Sequence, residues 1–283
     1  MSAARTGPGP VVTGFDGSPE AGRAVRWAVA EAKTRGLGLV LAYADEAARE
    51  SQLASMVEAL KRSDPDLDVL AVVRDGTPEQ VLTAVADETD AAMIVLGESH
   101  TGVFTRAVLG STESGVTKTA ECPVVVVRGE EPPPDGPVIL GTDGSEQSAP
   151  AAGFAFDFAA RHGLTLHAVH VARMPIWGPA SEPLLGGPVL DPSPGLPQEV
   201  ADELVARQLK PWQERYPEVT VETVHGFGPA AQALTVESSE AALLVLGRSD
   251  HGDLRRLLLG SISDDALHHA HCPVAVVRAQ PTG

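Results

Sequence analysis

The chain has 283 residues, of which 43% are hydrophobic and 21% charged, so it is long enough for about two domains and its composition is globular. With 21 Lys+Arg against 38 Asp+Glu the formal net charge is -17, a surface that repels an extended phosphate backbone and excludes nucleic acid as an expected partner. The two cysteines, Cys122 and Cys272, each stand directly before a proline and far apart, giving neither a disulfide framework nor a CxxC ligand pair.

Met1 to Pro10 lacks an apolar core of signal-peptide length, and no run approaches ~18 apolar residues. The expectation is a soluble, cytoplasmic protein that does not enter a membrane.

Strand and helix patterns alternate from the start. Val11 to Phe15 is an apolar run, and Ser18 then caps a helix with Pro19 in its first turn and Ala24, Val25, Ala28, Val29 and Ala32 at helical spacing. A strand over Leu37 to Tyr43 follows, then a helix near Leu53 to Lys61, a strand near Val69 to Val73, a helix from Pro78 to Ala86 and a strand from Met93 to Leu96. A helix starting near Ser111 and a strand over Val124 to Val127 complete the unit.

The unit then recurs. Pro10 to Ser18 matches Pro137 to Ser145 at an offset of 127, and Val95-Leu-Gly97, Leu109-Gly-Ser111 and Cys122 to Arg128 recur at an offset of 150 as Val245-Leu-Gly247, Leu259-Gly-Ser261 and Cys272 to Arg278. Copy two thus has strands near Val138 to Gly141, Leu164 to Val171, Val219 to Val224, Leu243 to Leu246 and Val274 to Val277. The 23-residue difference in offset is an insertion at about residues 172–198, between the second strand and second helix, rich in Pro and Gly without periodicity and read as loop filler rather than a lid. The division expected is a first domain over 1–129, a linker over 130–136 and a second domain over 137–283. Each is an open parallel five-stranded sheet with helices on both faces, joined by right-handed crossovers.

In such sheets ligands sit beyond the carboxyl ends of the strands where strand order reverses. Three loops meet there. The first strand ends in Asp16-Gly17-Ser18 or Asp143-Gly144-Ser145, the second strand ends near Ala44 or Val171, and the fourth is followed by the loop Gly97 to Ser111 or Gly247 to Ser261. The last ends in Gly-Ser at a helix start, where free amides and the helix dipole favour a phosphate.

These residues carry a resemblance to the universal stress protein (UspA-type) family across nearly the whole chain, in its tandem-domain form, with a Rossmann-like fold related to the adenine-nucleotide alpha-hydrolases. Members that bind ATP carry Gly-x2-Gly-x9-Gly-(Ser/Thr) after the fourth strand; here the frames are Gly97-x2-His100-x9-Gly110-Ser111 and Gly247-x2-Asp250-x9-Gly260-Ser261. The resemblance implies ATP or a related adenine nucleotide, with Mg²⁺ as an accompanying ion, held by Asp16, Gly17, Ala44, Gly97, His100, Gly110 and Ser111 in copy one. The counterparts in copy two are Asp143, Gly144, Val171, Gly247, Asp250, Gly260 and Ser261. Both copies lack the second glycine of the frame. His and Asp tolerate positive φ, but Asp250 at ~5 Å from a phosphate, with an effective dielectric of ~20, would oppose binding by up to ~3 kcal/mol, so copy one is expected to bind nucleotide better.

The resemblance further implies a stress-response role exerted through nucleotide-dependent conformation or partner binding, without a dedicated catalytic residue; slow hydrolysis of Mg-ATP is compatible with it. It also implies that the terminal strands pair the two domains with each other, and it leaves room for a homodimer. Two other readings stand beside it: a nucleotide-free interaction scaffold, and an adenylating ATP pyrophosphatase, whose loop after the first strand Thr13 to Ser18 only echoes. Plainer roles also exist for the motifs themselves. Asp16 and Asp143 suit simple turn closure, and the Gly-Ser pairs suit ordinary helix caps. His268, His269, His271 and Cys272 read as a dipole-favoured helix end rather than metal ligands, and both cysteines as small buried residues before an edge strand.

Overall fold

The computed structural model describes residues 9–44, 50–98, 111–128, 133, 135–172, 198–227, 229–248 and 261–279. The first half comprises β1 (Val11–Gly14), α1 (Pro19–Arg35), β2 (Leu39–Ala44), α2 (Glu50–Ser63), β3 (Val69–Arg74), α3 (Pro78–Thr89), β4 (Met93–Gly97), α4 (Ser111–Thr119) and β5 (Val124–Val127). The second comprises β6 (Val138–Gly141), α5 (Ala149–His162), β7 (Leu166–Ala172), α6 (Gln198–Arg215), β8 (Val221–Phe227), α7 (Ala230–Glu237), β9 (Leu243–Arg248), α8 (Ser261–His269) and β10 (Val274–Arg278). Most of the linker and nearly all of the insertion expected from the sequence fall outside the described residues.

The strands form one ten-stranded sheet in the order β3-β2-β1-β4-β5-β10-β9-β6-β7-β8. Pairing is parallel within each half, and β5 meets β10 antiparallel, with Val125 opposite Ala275. Those two residues are repeat counterparts, so a local pseudo-two-fold axis passes between them. The interior strands are continuous apolar runs because helices cover both faces. The edges of the sheet are β3 and β8. Cys122 and Cys272 therefore precede interior strands, which corrects the edge-strand expectation: each terminal strand is an edge only in its own half, and the other half covers it.

Local chemistry sets the helix starts. Ser18 is extended (φ -71°, ψ 157°) and its hydroxyl accepts from the Ala21 amide, Pro19 fills the first turn, and Gly36 closes α1 at φ 65°. Small residues at Ala21, Ala24, Ala28 and Ala32 bring α1 close to the sheet. In the second half Ser145 makes no such cap, and a 3₁₀ turn over Glu146–Ser148 delays α5 to Ala149.

The helices on one face, α1, α2, α5 and α6, share a single hydrophobic core across both halves, whereas the opposite face carries a separate core in each half. Phe156, fully buried in the shared core, would cost about 3–5 kcal/mol if cut to Ala. Across the seam on that face Trp27 stacks on Phe158 at 6.2 Å, Arg35 pairs with Asp157 at 2.6 Å, and His162 lies 2.9 Å from the buried Glu31.

Candidate functional site

In each half the strand order reverses between the first and fourth strands: β1 and β4, or β6 and β9. Outside the carboxyl ends of β1, β2 and β4 lies a cavity of about 290 Å³. Phe15 and Asp16 border it from the β1 loop, Tyr43 and Ala44 from β2, Val81 and Leu82 from α3, and Leu96 and Gly97 from β4, with Glu20 of α1 and Glu113 of α4 completing the acidic part of the wall. Asp16, Ala44 and Gly97 of the sequence-predicted set are thus brought together.

The loop geometry is fixed locally. Gly17 takes φ 81°, which lets the chain fold back so that Asp16 Oδ1 accepts from the Ser18 amide at 2.9 Å. Gly97 is required by close approach, because a Cβ there would stand 2.4 Å from the carbonyl oxygen of Glu20. The end of β4 therefore abuts the first turn of α1. Ser111 opens α4, while His100 and Gly110 lie outside the described residues.

The second half builds its first loop differently. Gly144 takes φ 74°, and Asp143 Oδ1 accepts from the Ser145 amide at 3.0 Å and from the Ser148 hydroxyl at 2.9 Å. Burial would raise the Asp143 carboxyl, but these hydrogen bonds outweigh it and hold the group below the usual carboxylate range. Gln208 of α6 then ties the loop down. Its amide nitrogen donates to the Ser145 carbonyl at 2.9 Å and to the Ser148 hydroxyl at 2.7 Å, and its oxygen accepts from Thr142 at 2.5 Å. The backbone of α6 sits directly over Gly144, where a Cβ would meet Leu204 Cβ at 2.8 Å. His170 of β7 lies 3.0 Å from the Thr142 carbonyl.

Counterparts show what changed. Thr142 and His170 replace Phe15 and Tyr43, and counting back from Pro217 and Pro65 places Gln208 where the first half has Met56. An apolar wall has become a polar network. Val171 sits in β7 against Gly226, and Gly247 ends near Ser148 with room for a methyl group, its Cβ position being 3.4 Å from the Ser148 Cα. Ser261 opens α8; Asp250 and Gly260 lie outside the described residues.

Sequence reasoning gave the helix α3 but did not place it, Phe15, Tyr43 or the two glutamates at the cavity. A signal for α3 existed: Thr77 and Gln80 form a reciprocal capping box directly after β3, which aims the start of α3 at the ligand edge. Comparing the copies position by position would have exposed the Thr142 and Gln208 substitutions.

Chemically, the cavity has apolar walls and an acidic side, suited to a flat, partly apolar ligand that offers hydroxyl or amine donors. Neither cysteine is poised as a nucleophile, since burial pushes both thiols up to about 12. Among the described residues no group of His, Cys, Asp and Glu has metal-binding geometry; His268 and His269 instead approach Asp264 and Asp265 one turn back at 3.8 and 3.6 Å. No described helix is long and apolar enough to cross a membrane.

The model of the universal stress protein family matches residues 9–66, 42–128 and 136–278. The chain is 34% identical to universal stress protein Rv2005c of Mycobacterium tuberculosis over 295 residues, spanning 95% of this chain and 96% of that one. Its fold matches a universal stress protein from Archaeoglobus fulgidus with a TM-score of 0.65 at 17% identity, covering 95% and 98% of the two chains. A universal stress protein solved in complex with cAMP aligns with 43% of this chain and 99% of its own, at 25% identity and a TM-score of 0.35.

Proposed function

The chain belongs to the universal stress protein family, and from that premise we propose that its first half binds ATP or a related adenine nucleotide and passes the bound state on through conformation or partner binding. The observation that carries this is the cavity at the β1/β4 switch point, where Asp16, Ala44 and Gly97 meet. Asp16 suits a ribose hydroxyl, and the walls of Phe15, Leu82 and Leu96 suit a base. No committed reaction belongs to this reading.

The second half favours a ligand-free, scaffolding role. There Gln208 satisfies Thr142, Ser145 and Ser148 internally. The polar groups nearest Asp143 are thereby engaged before any ligand arrives.

Calorimetric titration of the nucleotide-stripped full chain with Mg-ATP tests both statements, with Ala44→Trp filling the first cavity and Val171→Trp as its second-half counterpart. The expected result is one site per chain, abolished by Ala44→Trp and kept by Val171→Trp. Absence of binding by Mg-ATP, ADP, AMP and cAMP overturns the nucleotide reading, and a site removed only by Val171→Trp reverses its placement.

A further inference from the structure

The two outer strands of the sheet differ in what they present at their open edges. β3 ends the sheet in the first half and β8 in the second. Counting from Pro65 and Pro217 makes Glu222, Thr223 and His225 of β8 the counterparts of Leu70, Ala71 and Val73 of β3. Charged and polar residues on an edge strand discourage a further strand from adding to it. β8 carries them, whereas β3 is apolar from Val69 to Val73. Leu70 is 56% exposed and Ala71 is exposed beside it, because α3 packs on β1 and β2, inside the edge.

The outward main-chain groups of β3 follow from one hydrogen bond. The Leu39 amide donates to the Asp68 carbonyl at 2.8 Å, so Asp68, Leu70, Val72 and Arg74 turn their main-chain groups toward β2, while Val69, Ala71 and Val73 turn theirs out of the sheet. Such an edge is self-complementary. When a second β3 runs antiparallel with Ala71 opposite Ala71, that pair exchanges two hydrogen bonds, and Val69 exchanges two with Val73 on either side. The pairs between them are Leu70 with Val72 and Asp68 with Arg74, each formed twice about a two-fold axis. By strand alternation these four residues share the face on which Val72 packs against the first-half core. Arg74 already holds Glu88 through both terminal nitrogens at 2.6 Å, and its guanidinium has further N–H donors for the Asp68 carboxylate of the other copy.

We propose that β3 is a self-association edge: two copies of the chain join through antiparallel β3 strands and continue their ten-stranded sheets into one. The occupant is a second copy because the register that pairs the outward main-chain groups is the same one that sets Leu70 on Val72 and brings opposite charges together. It repeats between chains the antiparallel contact that β5 and β10 make within one. The contact is small, so the dimer is weak and reversible. The formal charge of -17 on each copy opposes it at long range, a repulsion that salt screens.

Sedimentation equilibrium of the full chain over about 5 to 500 µM, in ~0.15 M salt, should show the mass rising with concentration toward twice that of one chain. Ala71→Pro removes the amide on the axis and spares the bonds to β2, and Leu70→Glu installs the β8 residue; each should weaken association at least about tenfold. Thr223→Pro, the same change on β8, should leave it within about twofold. Ala71→Cys should give a disulfide-linked dimer on mild oxidation, since opposed Cα atoms in such a pair stand about 5.5 Å apart. Thermal melts matching wild type report that each variant has folded. A monomer across the whole range overturns the proposal, as does a dimer that survives both Ala71→Pro and Leu70→Glu. A dimer lost only in Thr223→Pro moves the contact to β8 and overturns it too, and a dimer that Ala71→Cys fails to cross-link overturns the register.

Discussion

Arg128 and His268 belong to opposite halves of the chain, yet the guanidinium of the first donates to the carbonyl of the second at 2.9 Å. The same guanidinium donates to the carbonyl of Ala266 at 3.2 Å and pairs with Glu98 at 2.6 Å. Arg248 returns the contact, donating to the carbonyls of Thr117 and Lys118 at 3.0 and 2.8 Å. Each final helix thus has carbonyls of its last turn met by an arginine from the other half.

Removing either arginine should loosen the seam. Arg128→Ala and Arg248→Ala are each expected to lower unfolding free energy by about 3 kcal/mol, because buried charge-assisted hydrogen bonds are lost and carbonyls are stranded. Arg248→Lys should recover less than half, since one ammonium cannot span the carbonyls the planar fork reaches. Urea midpoints measure this, and unchanged midpoints for both alanine variants would refute it.

The fourth-strand glycines should respond unequally. Gly97→Ala pushes a methyl group into the Glu20 backbone at 2.4 Å and should cost about 2–3 kcal/mol. Gly247→Ala meets only ordinary contact at 3.4 Å and should stay within about 0.5 kcal/mol of wild type. Thermal melts of the two variants side by side decide the point, and equal losses would contradict the packing described for β4 and α1.

Acid should weaken the docking of α1 on α5. Burial opposes ionisation of Asp157, but the Arg161 hydrogen bond and the nearby Arg35 prevail and hold its carboxyl below the usual range. The folded state therefore binds fewer protons than the unfolded one near the ordinary aspartate pKa of ~3.9. Its stabilisation is complete above that value and is lost as pH falls through the lower, folded-state pKa. The stability difference between wild type and Asp157→Asn should accordingly be constant from neutral pH down to about 5 and shrink below about 4. A gap that widens on acidification would disprove the assignment.

The Gln208 network invites a cycle of substitutions. Gln208→Met alone should cost about 1–3 kcal/mol, because Thr142 and Ser148 lose a partner in a buried setting. Adding Thr142→Phe, which completes the first-half pair, should return part of that loss as a positive coupling energy. Strict additivity in denaturant unfolding would show that the two residues do not act together.

Both cysteines should resist thiol reagents in the folded chain at pH 8, since burial pushes their thiols up to about 12. Two fast-reacting thiols should appear once denaturant is added. A native thiol reacting at the unfolded rate would contradict the packing around it.

Much of the architecture was legible because the sequence states it twice. Val11 to Gly14 and Val138 to Gly141 appear as apolar runs before Asp-Gly-Ser, and both form strands. Ser18 read as a cap and is one, whereas its repeat counterpart Ser145 makes no side-chain cap. The difference comes from Ser148, which stands where the first half has Ala21 and draws Asp143 and Gln208 into hydrogen bonds that replace the first helical turn. No local pattern announces that, because Gln208 lies 60 residues from Ser148 in sequence. The cross-half arginine contacts were hidden for the same reason: their partners are carbonyls, which every residue has. Of the cavity, the residues contributed by strand ends were readable, whereas Glu20 and Glu113 look like ordinary exposed glutamates in the first turns of helices.

The antiparallel seam also sets a timetable for synthesis. Val125 finds its partner Ala275 150 residues downstream, on the last of the ten strands. At ~5–20 residues per second, β5 waits roughly 8–30 s on the ribosome with one apolar rim uncovered. A short strand of four valines is prone to pair with whatever edge it meets in that interval. Nascent chains crowded on one message should therefore be the species most exposed to strand exchange, and slowing translation in the second half should lower soluble yield without changing the finished fold.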